Sequence, residues 1–574
     1  MRNFAGSLRQ IMRTAFITAF VICACSACSS SPGEEPGGQA LFSAEGVSAQ
    51  DGDSQAAEGV SAQDGDSQTS ERAVLLEQEA FTDLSAPENN READGIVIRR
   101  GGTPLAYERS QNTYYLPAKA GADPADLFLS MYAEEDQVIY IEEDAYIHNA
   151  ADAMREGHAF QIMICSGDDR AGASLVMTGL PTVSIASKEG EIEDKTERSS
   201  TICVSAPESS MSGEWLCGAR IRGASSTLLD KKSYRVELHK ENGDNKKVSL
   251  LGMRKDDDWI LNALFSDRTL AREKVCYRLW QDVNSLSKEP VAGSRMEYVE
   301  LFVDGEYMGV YGLMEPVDGK QLGLTVGDIL YKIQNWRDET EVEGQFTDHN
   351  GQPELINTKG IAYAKIEYPG DDPEYYRWDL LEAYEEFVLN KPDPTILTEA
   401  GIGLDTDNYI DHNLFCVMTH AEDNTWKNLL IACRRQKDGT YTFYETIWDL
   451  NYTFGDTFKY DTDRRNVLFD AGTTQSMRLR RDKDFAYCAL EKAYPEVTAM
   501  SADRWKLWRD SGISAEYIVS LLQDCREELT AAGAMDREER RWEKSALSGD
   551  YDETCAWIGE RFEFLDDFYG YDRR

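Results

Sequence analysis

Positive charge is what this chain has least of. Its 574 residues carry 60 Lys and Arg against 103 Asp and Glu, a formal net charge of −43, with six His. So acidic a surface repels nucleic acid and anionic lipid headgroups, which leaves a basic peptide or a cation-bridged anion as the better partner. His148, His158, His239, His349, His412 and His420 are dispersed, and the nine cysteines beyond residue 28 show no metal-type spacing, so no zinc site is indicated. A G-x-S-x-G elbow and a Cys–His motif are both missing, which removes the common hydrolase patterns. No stretch after residue 28 is long and apolar enough to span a membrane as a helix. Bulk apolar material is not lacking: 41% of residues are hydrophobic, with 11 Trp, 28 Tyr and 20 Phe, enough for a sizeable core and more than one domain.

The N-terminus sets the compartment. Arg2, Arg9 and Arg13 precede the apolar run TAFITAFVICACSAC, and no acid appears before Glu34. A basic segment followed by about 15 apolar or small residues is a secretory signal, too short for a membrane span. Its end resembles a bacterial lipoprotein signal over residues 1–28, with Cys25 or Cys28 as the lipidated residue. That places the protein in the bacterial cell envelope, lipid-anchored on the outer face of the cytoplasmic membrane. Export permits disulfides, and Cys203–Cys217 is the pair to test, but buried free thiols are the default in a chain this large.

Residues 29–94 hold 15 acids and two bases, and AEGVSAQDGDSQ occurs twice, at 44–55 and 57–68. Segments this polar cannot bury a face, so the expectation is a disordered, extended tether. From 95 to 187, short β-type runs (GIVIRR, NTYYLPA, QVIYIEE, AFQIMIC, SLVMTG) predict a small, mostly β domain of sandwich type. Residues 188–574 form the largest part. RIRG and SYRVELH flank a Gly-Ser-Ser loop, and Arg220, Arg222, Lys231, Lys232 and Arg235 reverse the local charge within 16 residues. Small-residue loops let backbone N–H groups approach phosphate, and a neighbouring lysine adds charge. The DDDW stretch at 256–259 reads as a solvated turn. The spacing of Leu380, Tyr384, Phe387 and Val388 predicts a helix, as does YIDHNLFCVMTH, which delivers Asp423 at its end. Asn428 follows, then two strand-like runs joined by KDGT, then Asp449. Two carboxylates and an amide at the ends of one hairpin are oxygen donors suited to divalent metal and phosphate. The alternative for Asp423 and Asn428 is an Asx-type cap and turn.

Taken together, R-G-x-S-S, K-K-x-Y-R, W-I-L-N-A with a downstream D-R, G-V-Y-G-L-M-E, D-N-T-W-K-N and W-D-L-N-Y-T-F-G resemble the spore-coat CotH kinase family over roughly 180–570. The resemblance implies an α+β, atypical protein-kinase-like fold of two lobes, a β-rich N-lobe and a helical C-lobe. It implies ATP with Mg²⁺ or Mn²⁺ as cofactors, and transfer of the γ-phosphate to Ser or Thr of an exported protein, basic and Ser-rich in character. In kinase order, Asp423 is the base or hydroxyl orienter, and Asn428 and Asp449 hold metal. Lys232, with Lys231 as the alternative, pairs with the phosphates beside Arg222, Ser225 and Ser226. Glu273 is a candidate partner for that lysine, and Glu315 for an adenine-binding hinge. Two departures stand out. The family's RGN loop is RGA here, at Ala224, and its WDxD segment is WDLN, with Asn451 replacing a carboxylate. A catalytically silent binding module and nucleotidyl transfer on the same scaffold therefore stay open beside the kinase.

Overall fold

The computed structural model describes residues 72–85, 91–223, 225–334, 364–369, 376–424, 427–456, 486–542 and 547–572, and the features below concern these. Residues 69–574 form one compact unit. The expected signal segment with Cys25 and Cys28, and the duplicated stretch of the expected tether, lie outside the described residues.

Order begins earlier than residue 95. The apolar run Ala73–Leu76 is a strand, paired in parallel with Val138–Glu142, and a short helix, Gln78–Leu84, follows it with Phe81 buried. These residues fall inside the segment read from composition as tether. Averaging acidic content over 29–94 hides the one stretch, AVLL, that can pair and bury. The expected sandwich is instead one seven-stranded mixed sheet, running from Ala73–Leu76 through Val138–Glu142, Ala159–Ser166, Asp169–Thr178 and Thr113–Pro117 to Ala106–Glu108, with Arg91–Glu92 paired to Asp169–Thr178. Its apolar face (Ile139, Ile141, Phe160, Ile162, Leu175) is covered by Phe128 and Met154 from the short helices Pro124–Leu129 and Ala150–Arg155.

The last run assigned to that domain belongs elsewhere. Thr182–Ser187 is the first strand, β1, of a closed seven-stranded barrel. The others are β2 (Arg198–Ser205), β3 (Gly213–Arg222), β4 (Ser233–His239), β5 (Asp258–Asn262), β6 (Met296–Val303) and β7 (Glu306–Met314), in the order β1-β2-β3-β4-β5-β7-β6. Parallel pairing of β6 with β1 closes the ring, so no edge is left open. Alternation sends Ile202, Val204, Ala219, Val236, Leu238, Val299, Leu301 and Leu313 inward. The Val-Asp-Gly-Glu turn between β6 and β7 forms as expected, with Asp304 and Gly305 at φ +50° and +80°. The Cys203–Cys217 pair does not form. Cys203 lies opposite Glu214 and Cys217 opposite Ser200, and the two thiols sit on opposite faces of the sheet, Cys217 in the barrel core and Cys203 against the Pro104 carbonyl.

Helix α1 (Arg272–Asn284) leaves the barrel and buries Val275, Leu279, Trp280 and Val283. A second sheet follows, with β8 (Ile329–Ile333), β9 (Ala364–Tyr368), β10 (Ile402–Leu404), β11 (Leu430–Arg435) and β12 (Tyr441–Thr446) in the order β9-β8-β11-β12-β10. Among and after these strands lie helices that include α2 (Trp378–Glu385), α3 (Thr406–Thr419), α4 (Val497–Asp510), α5 (Ala515–Ala531), α6 (Ala534–Trp542) and α7 (Leu547–Tyr569). The C-terminal part is thus not purely helical. Leu380, Tyr384, Phe387 and Val388 are all buried, as their spacing predicts. The class is α+β.

Candidate active site

Helix α3 ends on His420, whose left-handed φ of +55° turns the chain away from the helix axis. A single 3₁₀ turn, Glu422–Asn424, then places Asp423. Asn428, also left-handed at φ +58°, leads into β11. The hairpin pairs Leu430 with Thr446, so the loop before β11 and the loop after β12 emerge at one end of it. Asp449 lies in that second loop at φ +59°, exposed, between buried Trp448 and Leu450. His, Asn and Asp enter the left-handed region more readily than other side chains, so these three positions can turn the chain sharply at both ends of the hairpin. Side chains lock the loops together. Asn428 Nδ2 donates to Asp423 Oδ2 at 3.0 Å, Lys427 Nζ lies 3.4 Å from the same oxygen, and Asn424 Nδ2 donates to the Trp448 carbonyl. Asp423, Asn428 and Asp449 are therefore held at one end of one hairpin.

The barrel and α1 supply the opposing wall. Arg222, at the end of β3, holds its guanidinium 5.7 Å from the Trp448 ring centre. Burial lowers its pKa against the pull of Asp449 and Glu273. Glu273, in the first turn of α1, is buried and accepts from Asn262 Nδ2 at 2.7 Å and the Tyr277 hydroxyl at 3.0 Å. Burial, and then the charge of Asp449, push its carboxyl up to about 8. Asn451 donates from Nδ2 to Ser266 Oγ at 2.7 Å, tying the loop after Asp449 to the segment before α1. One residue here escaped the reading of the sequence. Lys332 on β8 lies opposite Leu430, with Nζ 4.6 Å from the Trp448 ring centre and 3.7 Å from Glu367, and burial pushes it down to about 8. The signal was a lone lysine inside the apolar strand run ILYKI, a place where charge rarely goes unused.

Other expected residues are engaged elsewhere. Lys232 Nζ donates to the carbonyls of Thr227 and Leu229, holding its own loop closed. Lys231 is fully buried, paired with Glu538 at 2.7 Å and donating to the Val310 carbonyl at 2.6 Å. Glu273 meets Asn262 and Tyr277, and its cationic neighbour is Arg222 instead of Lys232. Ser226 packs against Gly223, whose φ of +128° is one that L side chains rarely adopt and where a Cβ would lie 2.1 Å from Ser226 Oγ. Ala224 and the Ser225 side chain lie outside the described residues. Glu315 is buried, accepting from Arg254 N at 2.7 Å and Gln321 Nε2 at 3.1 Å. The DDDW stretch is no solvated turn: Asp256, Asp257 and Asp258 are buried, neutralised by Arg254, Lys320 and Arg235.

Among the described residues no cluster of three or more His, Cys, Asp or Glu could hold a metal, and no helix is long and apolar enough to cross a membrane. A family model described as CotH kinase protein matches residues 219–565, which takes in every strand from β4 onward and all the residues placed above. Among curated proteins nothing matches the chain.

Proposed function

The chain belongs to the CotH kinase family, and from that premise we propose that it is a protein kinase, moving the γ-phosphate of ATP to a Ser or Thr hydroxyl of an exported protein. The observation that carries this is the locked group Asp423–Asn428 with Asp449 one residue from the Asn424–Trp448 tie. In this reading the barrel with α1 is the N-lobe, and the five-stranded sheet with its helices is the C-lobe.

The donor set fits Mg²⁺ or Mn²⁺. Such ions take one or two carboxylates and complete their shell with water and nucleotide oxygens, so a third acid is not required. Asn428 and Asp449 would hold the ion. Asn424 Oδ1 is buried beside them, with no hydrogen-bond partner among the described residues. When bound, the ion neutralises charge on the transferring phosphate. Asp423 accepts the hydrogen bond of the incoming hydroxyl, which fixes its oxygen in line, and takes the proton as transfer proceeds. The new bond joins that oxygen to the γ-phosphorus. The bond from the γ-phosphorus to the β–γ bridging oxygen breaks, and ADP leaves. Asn428 holds the Asp423 carboxylate in orientation, with Lys427 Nζ 3.4 Å from the same oxygen.

Purified protein incubated with γ-labelled ATP, Mn²⁺ or Mg²⁺ and a basic, Ser-rich protein should pass label to the substrate, and Asp423→Ala or Asp449→Ala should abolish it. Label that survives both substitutions rules the assignment out. A second reading has one observation in its favour: Asn451 spends its amide on Ser266, where the family pattern has a carboxylate. Nucleotide binding without transfer, in the same assay, identifies that silent form. The anchor is likewise a proposal, with Cys25 or Cys28 carrying lipid; fatty-acid labelling that persists without both cysteines would remove it.

A further inference from the structure

Two cations, Arg222 and Lys332, face the loop of Asp449. Among the described residues, neither the Arg222 guanidinium nor Lys332 Nζ makes a hydrogen bond. Each lies over Trp448 instead, at 5.7 and 4.6 Å from the ring centre. Glu367 stands 3.7 Å from Lys332 and is held closer, at 2.7 Å, by Lys365. They come from opposite walls, Arg222 from the end of β3 in the barrel and Lys332 from β8 in the second sheet. An acidic protein that half-buries two like charges on facing walls incurs a desolvation cost, which a bound anion would offset. Lys232, the lysine expected for this role, has its ammonium taken by two backbone carbonyls.

We propose that Lys332, with Arg222, binds the phosphates of the nucleoside triphosphate, closing on them from the two walls over Trp448. This rests on the kinase reading above and names the side chains that grip its nucleotide. Arg222 offers a planar fork to two phosphate oxygens, and Lys332 a point charge. The ammonium of Lys332, pushed down to about 8 by burial and by Lys365 and Arg222 after it, recovers its charge preference once phosphate arrives.

Two measurements test this on the full chain. An ATP acyl-phosphate reagent delivers its acyl group to an amine lying at the phosphates, the amine attacking the acyl carbon while the nucleotide leaves. Peptide mapping of the wild-type protein should find the acyl group on Lys332, suppressed by excess ATP. Acylation on Lys232 with Lys332 unmodified overturns the proposal. Separately, Lys332→Met should weaken ATP binding about 10- to 100-fold by calorimetry, as expected for losing one charged hydrogen bond. Lys332→Arg should recover part of it, and exposed Lys240→Met should change nothing. Unchanged ATP affinity in Lys332→Met, alongside phosphate transfer by the wild type, overturns this proposal and leaves the kinase standing. A wild-type chain that binds no ATP overturns both.

Discussion

Asn451 and its neighbour Asp449 lie on the same loop, and the difference between an amide and a carboxylate at 451 is a single negative charge beside the proposed ion site. Its present bond, Nδ2 to Ser266 Oγ at 2.7 Å, can be reproduced by an aspartate with the hydroxyl as donor. Asn451→Asp should therefore keep the loop in place and tighten metal binding on the order of tenfold, since added ligand charge raises affinity for a hard cation. Titration of Mn²⁺ in the presence of ATP reads this directly, and an unchanged midpoint would show that 451 lies outside the ion's reach. His420 makes a different prediction. Burial, and then Arg561, push its imidazole down to about 3. The unfolded chain therefore binds a proton on this group that the folded chain refuses, throughout the window from about 6.5 down to 3. Stability contributed by neutral His420 is present above 6.5 and is lost as pH falls through that window, about 2 kcal/mol by pH 5. Asn tolerates the left-handed conformation and never titrates. His420→Asn should flatten the acid side of the urea-midpoint profile; equal slopes for both proteins would assign the acid sensitivity elsewhere.

Helix α6 is the element that clasps the barrel, and it does so with charges. Arg537 forks onto Glu300 of β6 at 2.7 and 2.8 Å, and Glu538 takes both Lys231 and the β7 backbone N–H of Val310. Removing one partner leaves a buried charge uncompensated, so Glu538→Leu should cost about 3–5 kcal/mol in urea unfolding. Adding Lys231→Met should recover a good part of that loss, because the orphaned ammonium is gone; a double variant as weak as the sum of the singles would mean the pair is not coupled. The clasp also shows what the sequence could convey. The Asp-Gly turn between β6 and β7, the helix bearing Leu380 and Tyr384, and the hairpin between Asp423 and Asp449 are local patterns, and all three were legible. The ion pair of Lys231 was not, because Glu538 lies 307 positions away. Nor was the barrel's closure, set by parallel pairing of residues near 183 and 301. Arg222 was legible as a cation beside a small-residue loop. Lys332 was not, because its strand reads as ordinary core until β11 and β12 bring Trp448 beneath it.

Across the whole molecule, the N-terminal sheet and the barrel share a small core. Tyr115, Ala106 and Val176 from the first meet Phe302 and Tyr307 from the second, with the rings of Tyr115 and Tyr307 stacked at 5.8 Å. Arg109 N donates to the carbonyl of Gly305 in the β6–β7 turn at 2.8 Å, and Tyr307 bonds Glu300, the acid that Arg537 holds. The sheet is therefore coupled through side chains to the clasp of α6. Where the chain is cut at its start should matter accordingly. A protein beginning at Thr69 keeps the strand Ala73–Leu76, whose ladder to Val138–Glu142 is continued by Ile139 N to the Arg72 carbonyl at 3.0 Å and Glu143 N to the Leu76 carbonyl at 2.8 Å. Beginning at Gly95 removes that ladder and the buried Phe81, and leaves Val138–Glu142 as a bare edge. The loss amounts to about 3–6 kcal/mol, from one buried aromatic and several net hydrogen bonds. The unpaired edge also offers a template for other chains. The shorter protein should melt earlier and scatter light on heating, whereas the Thr69 protein should melt with the full chain. Identical melting of the two truncations would show that the first strand adds nothing to the fold.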